Sequence, residues 1–125
     1  MIKRLVMLLL LAPNLALADK VYEDATGGSY DCGEDPVVNI ETGGGTYTFT
    51  GACKQVNING ASVKLTVAAV EELNINGASN AITATELGAV NINGAKNKVT
   101  WKKAKTGKKP AVATNGKGNS VAKKK

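Results

Sequence analysis

The chain has 125 residues and a formal net charge of +6. It contains no histidine, which excludes a Ser-His-Asp triad, a Cys-His pair and a histidine-ligated metal. Its length fits one domain with a modest core.

The N-terminus, residues 1–18, has the pattern of a secretory signal peptide. A positive start (Lys3-Arg4) precedes an apolar run from Leu5 to Leu11, and small residues lead to a predicted cleavage after Ala18. The apolar run is too short for a permanent membrane anchor. A retained anchor helix is the alternative, and Pro13 argues against it. We therefore expect an exported protein, periplasmic or extracellular, with no transmembrane anchor after signal removal.

The rest of the chain divides by composition into an acidic N-terminal segment, residues 19–31, a repeat domain, residues 32–122, and a basic tail, residues 123–125. The two cysteines, Cys32 and Cys53, are expected to form one disulfide, because exported proteins usually pair their cysteines. Structural zinc would need four ligands, and the chain has no histidine and no second cysteine pair. The sequence therefore predicts no metal and no cofactor.

A short motif recurs at a constant step along the chain: Val56-Asn57-Ile58-Asn59-Gly60, then Leu73 to Gly77, then Val90 to Gly94. A weaker copy, Val38 to Glu41, precedes these three at an offset of 18. A last copy, Val112 to Val121, follows at an offset of 22, with its extra residues in a predicted loop near Thr106 to Pro110. Apolar and polar residues alternate within each copy, and Asn-Gly is a turn signal, so each copy predicts short strands joined by corners.

One copy cannot bury its apolar face alone, so the copies are expected to stack. Equivalent strands would pair about 4.8 Å apart, and their inward side chains would form a continuous core. We predict an all-β fold, namely a short right-handed parallel β-helix (β-solenoid) of about four to five coils with a 17–18-residue period and one N-terminal disulfide. An antiparallel sandwich is the alternative, but it does not explain the fixed step.

Two side-chain columns are predicted to be structural. Trp101 follows Ala84 in an inward column and is expected in the core. Asparagines recur at one corner and are expected to form a hydrogen-bonded ladder. This ladder covers only the later coils, because valine occupies the equivalent earlier position, Val63. The asparagines are Asn80, Asn97 and Asn119.

The order of these features resembles a known family. Cys32 is followed by Cys53 and a Val-x-Ile-x-Gly turn, then by repeated Gly-x-x-Asn-x-Val steps and a final coil from Val112 to Val121. Over residues 32–121 the sequence is similar to the bacterial domain-of-unknown-function family numbered 3060. The resemblance implies an exported β-solenoid with an N-terminal disulfide. It implies no catalytic residue, since the family has no assigned activity.

Composition favours a noncatalytic protein. The cysteines are expected to be bridged, and no P-loop or dinucleotide-binding motif is present. The alternative is a small polysaccharide-active enzyme, since glycoside hydrolysis needs paired carboxylates. Its candidates would be Glu71, Glu72 and Glu86, with Glu71 and Glu86 on neighbouring coils.

The repeats predict regular polar surfaces as candidate binding sites. An asparagine face would consist of Asn57, Asn59, Asn74, Asn76, Asn91 and Asn93. A threonine column on the next face would consist of Thr48, Thr66, Thr83 and Thr100. Such arrays match a repeating ligand such as a glycan, a peptidoglycan strand or ice. The structural alternative is that threonine favours exposed strand positions and that asparagine ladders support stacking.

Charge is strongly polarised along the chain. Residues 19–41 hold seven acids and one lysine, whereas residues 96–125 hold eleven lysines and no acid. Lysines near the last loop are candidate contacts for envelope glycans or anionic polymers, or protect an exposed strand edge. They are Lys102, Lys103, Lys105, Lys108 and Lys109. No nucleic-acid partner is expected, because no arginine remains after signal removal and aromatic residues are few. Self-association between the acidic first coil and the basic last coil is a third hypothesis.

Overall fold

The computed structural model describes residues 20–124, so the predicted signal peptide, Asp19 and Lys125 lie outside the described residues. Within that range the chain forms nine β-strands and no helix. No helix there is long and apolar enough to cross a membrane. The strands are β1 (Lys20–Tyr22), β2 (Gly28–Asp31), β3 (Val37–Ile40), β4 (Thr46–Asn59), β5 (Lys64–Ala78), β6 (Ala81–Ala95), β7 (Lys98–Ala104), β8 (Ala111–Asn115) and β9 (Ser120–Lys123).

All strand pairs are parallel and form one sheet that winds into a β-solenoid of about five turns. Val38 pairs with Val56 at a step of 18, and Val56 pairs with Leu73 at a step of 17. The last step is 22, from Val90 to Val112, and residues 105–110 form the connecting loop. The predicted all-β solenoid and its period are confirmed, and the antiparallel sandwich is excluded. The right-handed sense stays a prediction.

The corners require unusual backbone conformations, which explains the repeated glycine. Gly77 and Gly94 have φ of 146° and 142°. A Cβ at Gly77 would collide with the carbonyl oxygen of Gly60, and a Cβ at Gly94 would collide with that of Gly77. Successive coils therefore approach one another here more closely than any side chain allows.

The core is a continuous column of inward side chains along the solenoid axis. Val56, Leu73 and Val90 stack on one face, and Leu65, Ile82 and Val99 stack on the other, and all six are buried. Trp101 is buried, as predicted. Each fully buried valine or leucine contributes about 1.5–3 kcal/mol, so stacking supplies the apolar burial that a single coil lacks.

The solenoid starts before Cys32. Strands β1 and β2 lie in the acidic segment and pair with β3 and β4. The structure contains the Cys32–Cys53 disulfide, with the two Cα atoms 5.0 Å apart. Because Cys32 follows β2 and Cys53 lies in β4, the bridge joins the first coil to the second.

Candidate functional site

One outer face of the solenoid carries two rows of asparagine side chains. The register brings together all six asparagines predicted for this face. The half-buried row consists of Asn39, Asn57, Asn74 and Asn91. The exposed row, called here the exposed amide row, consists of Asn59, Asn76, Asn93 and Asn115.

Each side-chain nitrogen in the exposed amide row donates to an oxygen one coil earlier. Asn76 donates to Asn59 at 3.1 Å, and Asn93 donates to Asn76 at 3.3 Å. The row ends on a carboxylate, because Asn59 donates to Glu41 at 2.9 Å. A primary amide has two N–H donors and an oxygen with two lone pairs, and the row uses one donor and one lone pair of each inner member. The row therefore presents a second donor and a second lone pair per coil to the surroundings.

The half-buried row follows the same pattern. Asn57 donates to Asn39 at 2.7 Å, and Asn74 donates to Asn57 at 2.9 Å. Its amides are partly covered, which leaves less of their surface for a ligand. Of the predicted asparagines, the members of the exposed amide row are therefore the better binding candidates.

A third ladder lies at a buried corner. The oxygen of Asn97 accepts from the backbone N–H and the side-chain nitrogen of Asn80. The side-chain nitrogen of Asn97 donates to the oxygen of Asn119 and to the backbone carbonyl of Gly77. All four bonding positions of this amide are thus occupied inside the protein. The predicted ladder is confirmed, and it starts at Asn80, whose oxygen accepts from the backbone N–H of Val63.

The predicted threonine column also forms. Thr48, Thr66, Thr83 and Thr100 are in register on successive coils. The first three are exposed and Thr100 is half-buried. They form a single row, since the neighbouring outward columns are mixed: Lys64 and Ala81 lie two residues before Thr66 and Thr83, and Ala68 and Thr85 lie two residues after them. The column is a narrow hydroxyl stripe and stays a candidate surface.

The lysines near the last loop divide into two groups. Lys103 and Lys105 lie near one carboxylate, with their Nζ atoms 4.0 Å and 3.7 Å from the two oxygens of Glu86. Lys102, Lys108 and Lys109 are exposed, and so is Lys103 despite its contact with Glu86. Exposed ion pairs contribute at most about 1 kcal/mol, so the Glu86 contacts orient two lysines without strongly stabilising the fold. The basic surface is carried mainly by the exposed lysines.

The structure does not gather the three candidate carboxylates around one cavity. A shallow cleft of about 260 Å³ is lined by Glu71, Gly88, Lys105 and Thr106. Glu72 instead accepts from the side-chain amide of Gln55 at 3.4 Å. Glu86 contacts lysines, so Glu71 is the carboxylate that lines the cleft. Within residues 20–124 no group of three acidic or cysteine side chains is placed to hold a metal ion.

Sequence reasoning missed the aromatic cap of the first coil. Tyr22 and Tyr30 pack against the core, with the ring of Tyr22 5.0 Å from that of Tyr47 and the ring of Tyr30 6.2 Å from that of Phe49. The ammonium group of Lys20 lies 5.0 Å from the Tyr22 ring. Extending the offset of 18 from Ile40 back to Tyr22 would have found this coil. Its cap seals the N-terminal end of the core.

Local environment shifts the pKa of several groups in this first coil. Burial raises the pKa of Tyr22, Tyr30 and Tyr47, and nearby acidic groups add to the effect at Tyr30 and Tyr47. Hydrogen bonds from the side chain and backbone of Thr26 lower the pKa of Asp24. These groups lie in the cap and its corner, so the shifts mark packing rather than a reactive centre.

A known protein family matches the part of the chain that contains the first Gly-x-x-Asn corner. The model of the family described as "Protein of unknown function (DUF3060)" matches residues 40–86. The predicted resemblance to this family is confirmed. The DUF3060 match includes Cys53 and the Gly77–Asn80 corner, and it is shorter than the predicted range of residues 32–121. No curated protein and no solved structure matches the chain.

Proposed function

We propose that the protein is an exported, noncatalytic β-solenoid that acts as a binding or structural module in the cell envelope or outside the cell. The observation that carries the proposal is the exposed amide row, which offers donors and acceptors at a fixed spacing. The spacing between paired strands is about 4.8 Å. A regular array of this kind suits a repeating polymer better than a compact small molecule.

The basic last coils favour an anionic polymer among the possible partners. Lys102, Lys108 and Lys109 are exposed on the same end of the solenoid. A cluster of like charges attracts oppositely charged polymers over roughly the Debye length, about 8 Å at physiological salt. Envelope glycans and other envelope polymers that carry carboxylate or phosphate groups have this chemistry.

Export is supported by the disulfide together with the predicted signal peptide. Disulfides persist in oxidising compartments and are rare in the cytosol. The Cys32–Cys53 bridge therefore fits a periplasmic or extracellular location. Fractionation of cells that express the full chain, followed by thiol counting, tests this part, and free thiols in a cytosolic fraction would contradict it.

The lysine contribution is tested with two charge-matched variants. Lys108→Gln/Lys109→Gln removes two charges from the last loop, and Lys54→Gln/Lys64→Gln removes two exposed lysines from earlier coils. In pull-downs on peptidoglycan and lipopolysaccharide, we expect the loop variant to lose about tenfold in affinity, with a weaker salt dependence. The control variant should lose less than about twofold. Equal losses would show that net charge alone matters and would reject the loop as the contact.

The exposed amide row is tested by replacing Asn76 and Asn93 with alanine in the same pull-downs. Loss of retention with an unchanged melting temperature supports the row as the contact. Unchanged retention rejects the asparagine face as the binding site. The control is Thr85→Ala, which removes an exposed polar group outside both the exposed amide row and the threonine column.

The glycan-cleaving alternative rests on the cleft at Glu71. Hydrolysis with two carboxylates needs a second acid about 5–10 Å from the first. Glu72 and Glu86 are engaged by Gln55 and by lysines, which weakens this alternative. A broad polysaccharide screen for reducing-end release decides the matter. Release that disappears in Glu71→Gln would establish an enzyme, and no release from any substrate would favour the binding module.

A further inference from the structure

The last coil presents an open strand edge. Strand β8 pairs with β6, and β9 pairs with β7, and in the described sheet neither has a strand on its other side. All five residues of β8 are exposed, including Val112 at 50%. Val112 continues the inward column of Leu73 and Val90, so the apolar core reaches the surface here.

The open edge of β8 lacks the usual protection against pairing. Exposed edge strands are commonly blocked by charged residues, by proline or by a covering loop. β9 has Lys123, whose ammonium group lies 5.7 Å from the Trp101 ring. The sequence of β8, Ala-Val-Ala-Thr-Asn, has no charged residue and no proline. The edge of β8 is therefore unprotected, and the edge of β9 is protected only by Lys123, its one charged residue.

The first coil presents the complementary edge. Strands β1 and β2 pair only with β3 and β4 within the described sheet. Four exposed acids lie in or next to these two strands, namely Glu23, Asp24, Asp31 and Glu34. Three exposed lysines lie in or next to β8 and β9, namely Lys117, Lys123 and Lys124. The two ends of the solenoid thus carry opposite charge around strands of the same direction.

We propose that copies of this chain stack head to tail, with β8 pairing with β1 of the next copy and β9 pairing with β2 of the next copy. The interface would continue the register that each coil already follows. Val112 would lie against Lys20 of the next copy, because both belong to the column that contains Val90. Lys124 would lie against Asp31 of the next copy. Lys123 and Tyr30 belong to the inward column that contains Trp101, and Lys124 and Asp31 directly follow them in the chain.

A second copy fits this end better than an unrelated extended peptide. A single peptide strand would cover β8 or β9, whereas a solenoid end covers both faces at once. The first coil supplies two parallel strands on the two faces where the last coil has β8 and β9. The two contacting surfaces of such an assembly differ from each other, so copies can be added without limit unless the rotation between them closes a ring. We therefore expect open chains of variable length.

Sedimentation velocity of the full chain, expressed with its own N-terminal segment, tests the stacking. At low salt we expect the average mass to rise with concentration, and at high salt we expect association at least about tenfold weaker. A chain that stays monomeric at low salt over the whole accessible concentration range overturns the proposal. Association that is equally strong at high salt overturns it as well, because charge complementarity selects this partner.

A charge exchange separates this interface from nonspecific attraction. Glu23→Lys/Glu34→Lys leaves five acids and three lysines in residues 19–41, so their net charge changes from −6 to −2. Lys117→Glu/Lys124→Glu leaves nine lysines and two acids in residues 96–125, so their net charge changes from +11 to +7. Each variant alone should associate more weakly than the wild type, and an equimolar mixture should recover one wild-type interface, between the last coil of the first variant and the first coil of the second. Wild-type association of either variant alone, or a mixture that associates no better than the single variants, contradicts head-to-tail stacking.

Edge blocking provides a test that depends on one strand rather than on the charge of both ends. Val112→Lys places a charge on the open edge of β8 at a half-exposed position, so the fold should tolerate it. We expect self-association to weaken at least about tenfold. The control is Thr66→Lys, which adds the same charge at an exposed position of β5, away from both ends of the solenoid. Equal effects of the two variants would overturn pairing through β8.

Discussion

The side-chain nitrogen of Asn97 donates a 2.9 Å hydrogen bond to the backbone carbonyl of Gly77, one coil earlier. The same bond joins Asn80 to Gly60 at 3.0 Å and Asn119 to Gly94 at 2.9 Å. The missing glycine side chain lets adjacent coils approach closely, and the asparagine fills the corner beneath them. The Gly-x-x-Asn step is therefore a single structural device, and both of its residues should be sensitive to substitution.

Asn97→Ala should strongly destabilise the fold. Asn97 is fully buried, and its removal leaves donors of Asn80 and the carbonyl of Gly77 without their partner. Buried polar groups without partners cost about 1–3 kcal/mol each, so we expect a loss of about 4 kcal/mol in the free energy of unfolding. Urea unfolding followed by circular dichroism measures this value.

Asn76→Ala is the matched control for that prediction. It removes an amide that also belongs to a ladder but is exposed to water. Water can replace the lost bonds, so the expected change is within about 1 kcal/mol. Similar losses for the two variants would show that burial does not distinguish the ladders.

Gly77→Ala should be at least as damaging as loss of the asparagine. A Cβ at this position collides with the carbonyl oxygen of Gly60 and also meets a positive φ. We expect a loss of at least about 3 kcal/mol, or a failure to accumulate as folded protein. Gly28→Ala separates the two causes, because Gly28 has a φ of 142°, close to that of Gly77, but open space around it. The loss there would reflect the backbone alone, and equal losses at both sites would contradict a steric role.

The repeat made most of the fold predictable. A constant step between copies requires the same residue types to meet on successive coils, so the core columns, the buried ladder after Val63 and the burial of Trp101 followed from the sequence. The first coil escaped prediction because Lys20 and Gly28 occupy inward columns that are apolar elsewhere. The charge of Lys20 and the missing side chain of Gly28 conceal the alternation, although Tyr22 and Tyr30 continue it.

The candidate site was less predictable than the fold. Register alone places the asparagines and threonines in rows, which the sequence predicted. The partners of Glu72 and Glu86 depend on how long flexible side chains bend between coils, and periodicity carries no such information. The cleft depends on the loop over residues 105–110, which interrupts the repeat and has no counterpart in the other coils.

Removing the disulfide should loosen the N-terminal end first. Cys32→Ser/Cys53→Ser opens a bridge with a sequence separation of 21 residues. Loop-closure entropy predicts a loss of about 3 kcal/mol in the free energy of unfolding. Hydrogen exchange should increase most in β1 and β2, which belong to the coil that the bridge joins to the next. Uniform exchange across β1–β9, or an unchanged unfolding midpoint, would contradict this role.

The aromatic cap should make the protein sensitive to alkaline pH. The pKa of Tyr22, Tyr30 and Tyr47 is raised in the folded state above the ordinary value of 10.0, chiefly by burial. Below pH 10 these tyrosines are neutral in both states, and their contribution to stability is complete. As pH rises through the raised folded pKa, the unfolded chain loses protons more readily than the folded one, so stability falls. The urea midpoint of the wild-type protein should therefore drop as the pH rises above 10.0, the ordinary tyrosine pKa. Lysines also lose charge in this range, so the control is the triple variant Tyr22→Phe/Tyr30→Phe/Tyr47→Phe. Parallel pH profiles for the two proteins would show that the tyrosines do not cause the loss.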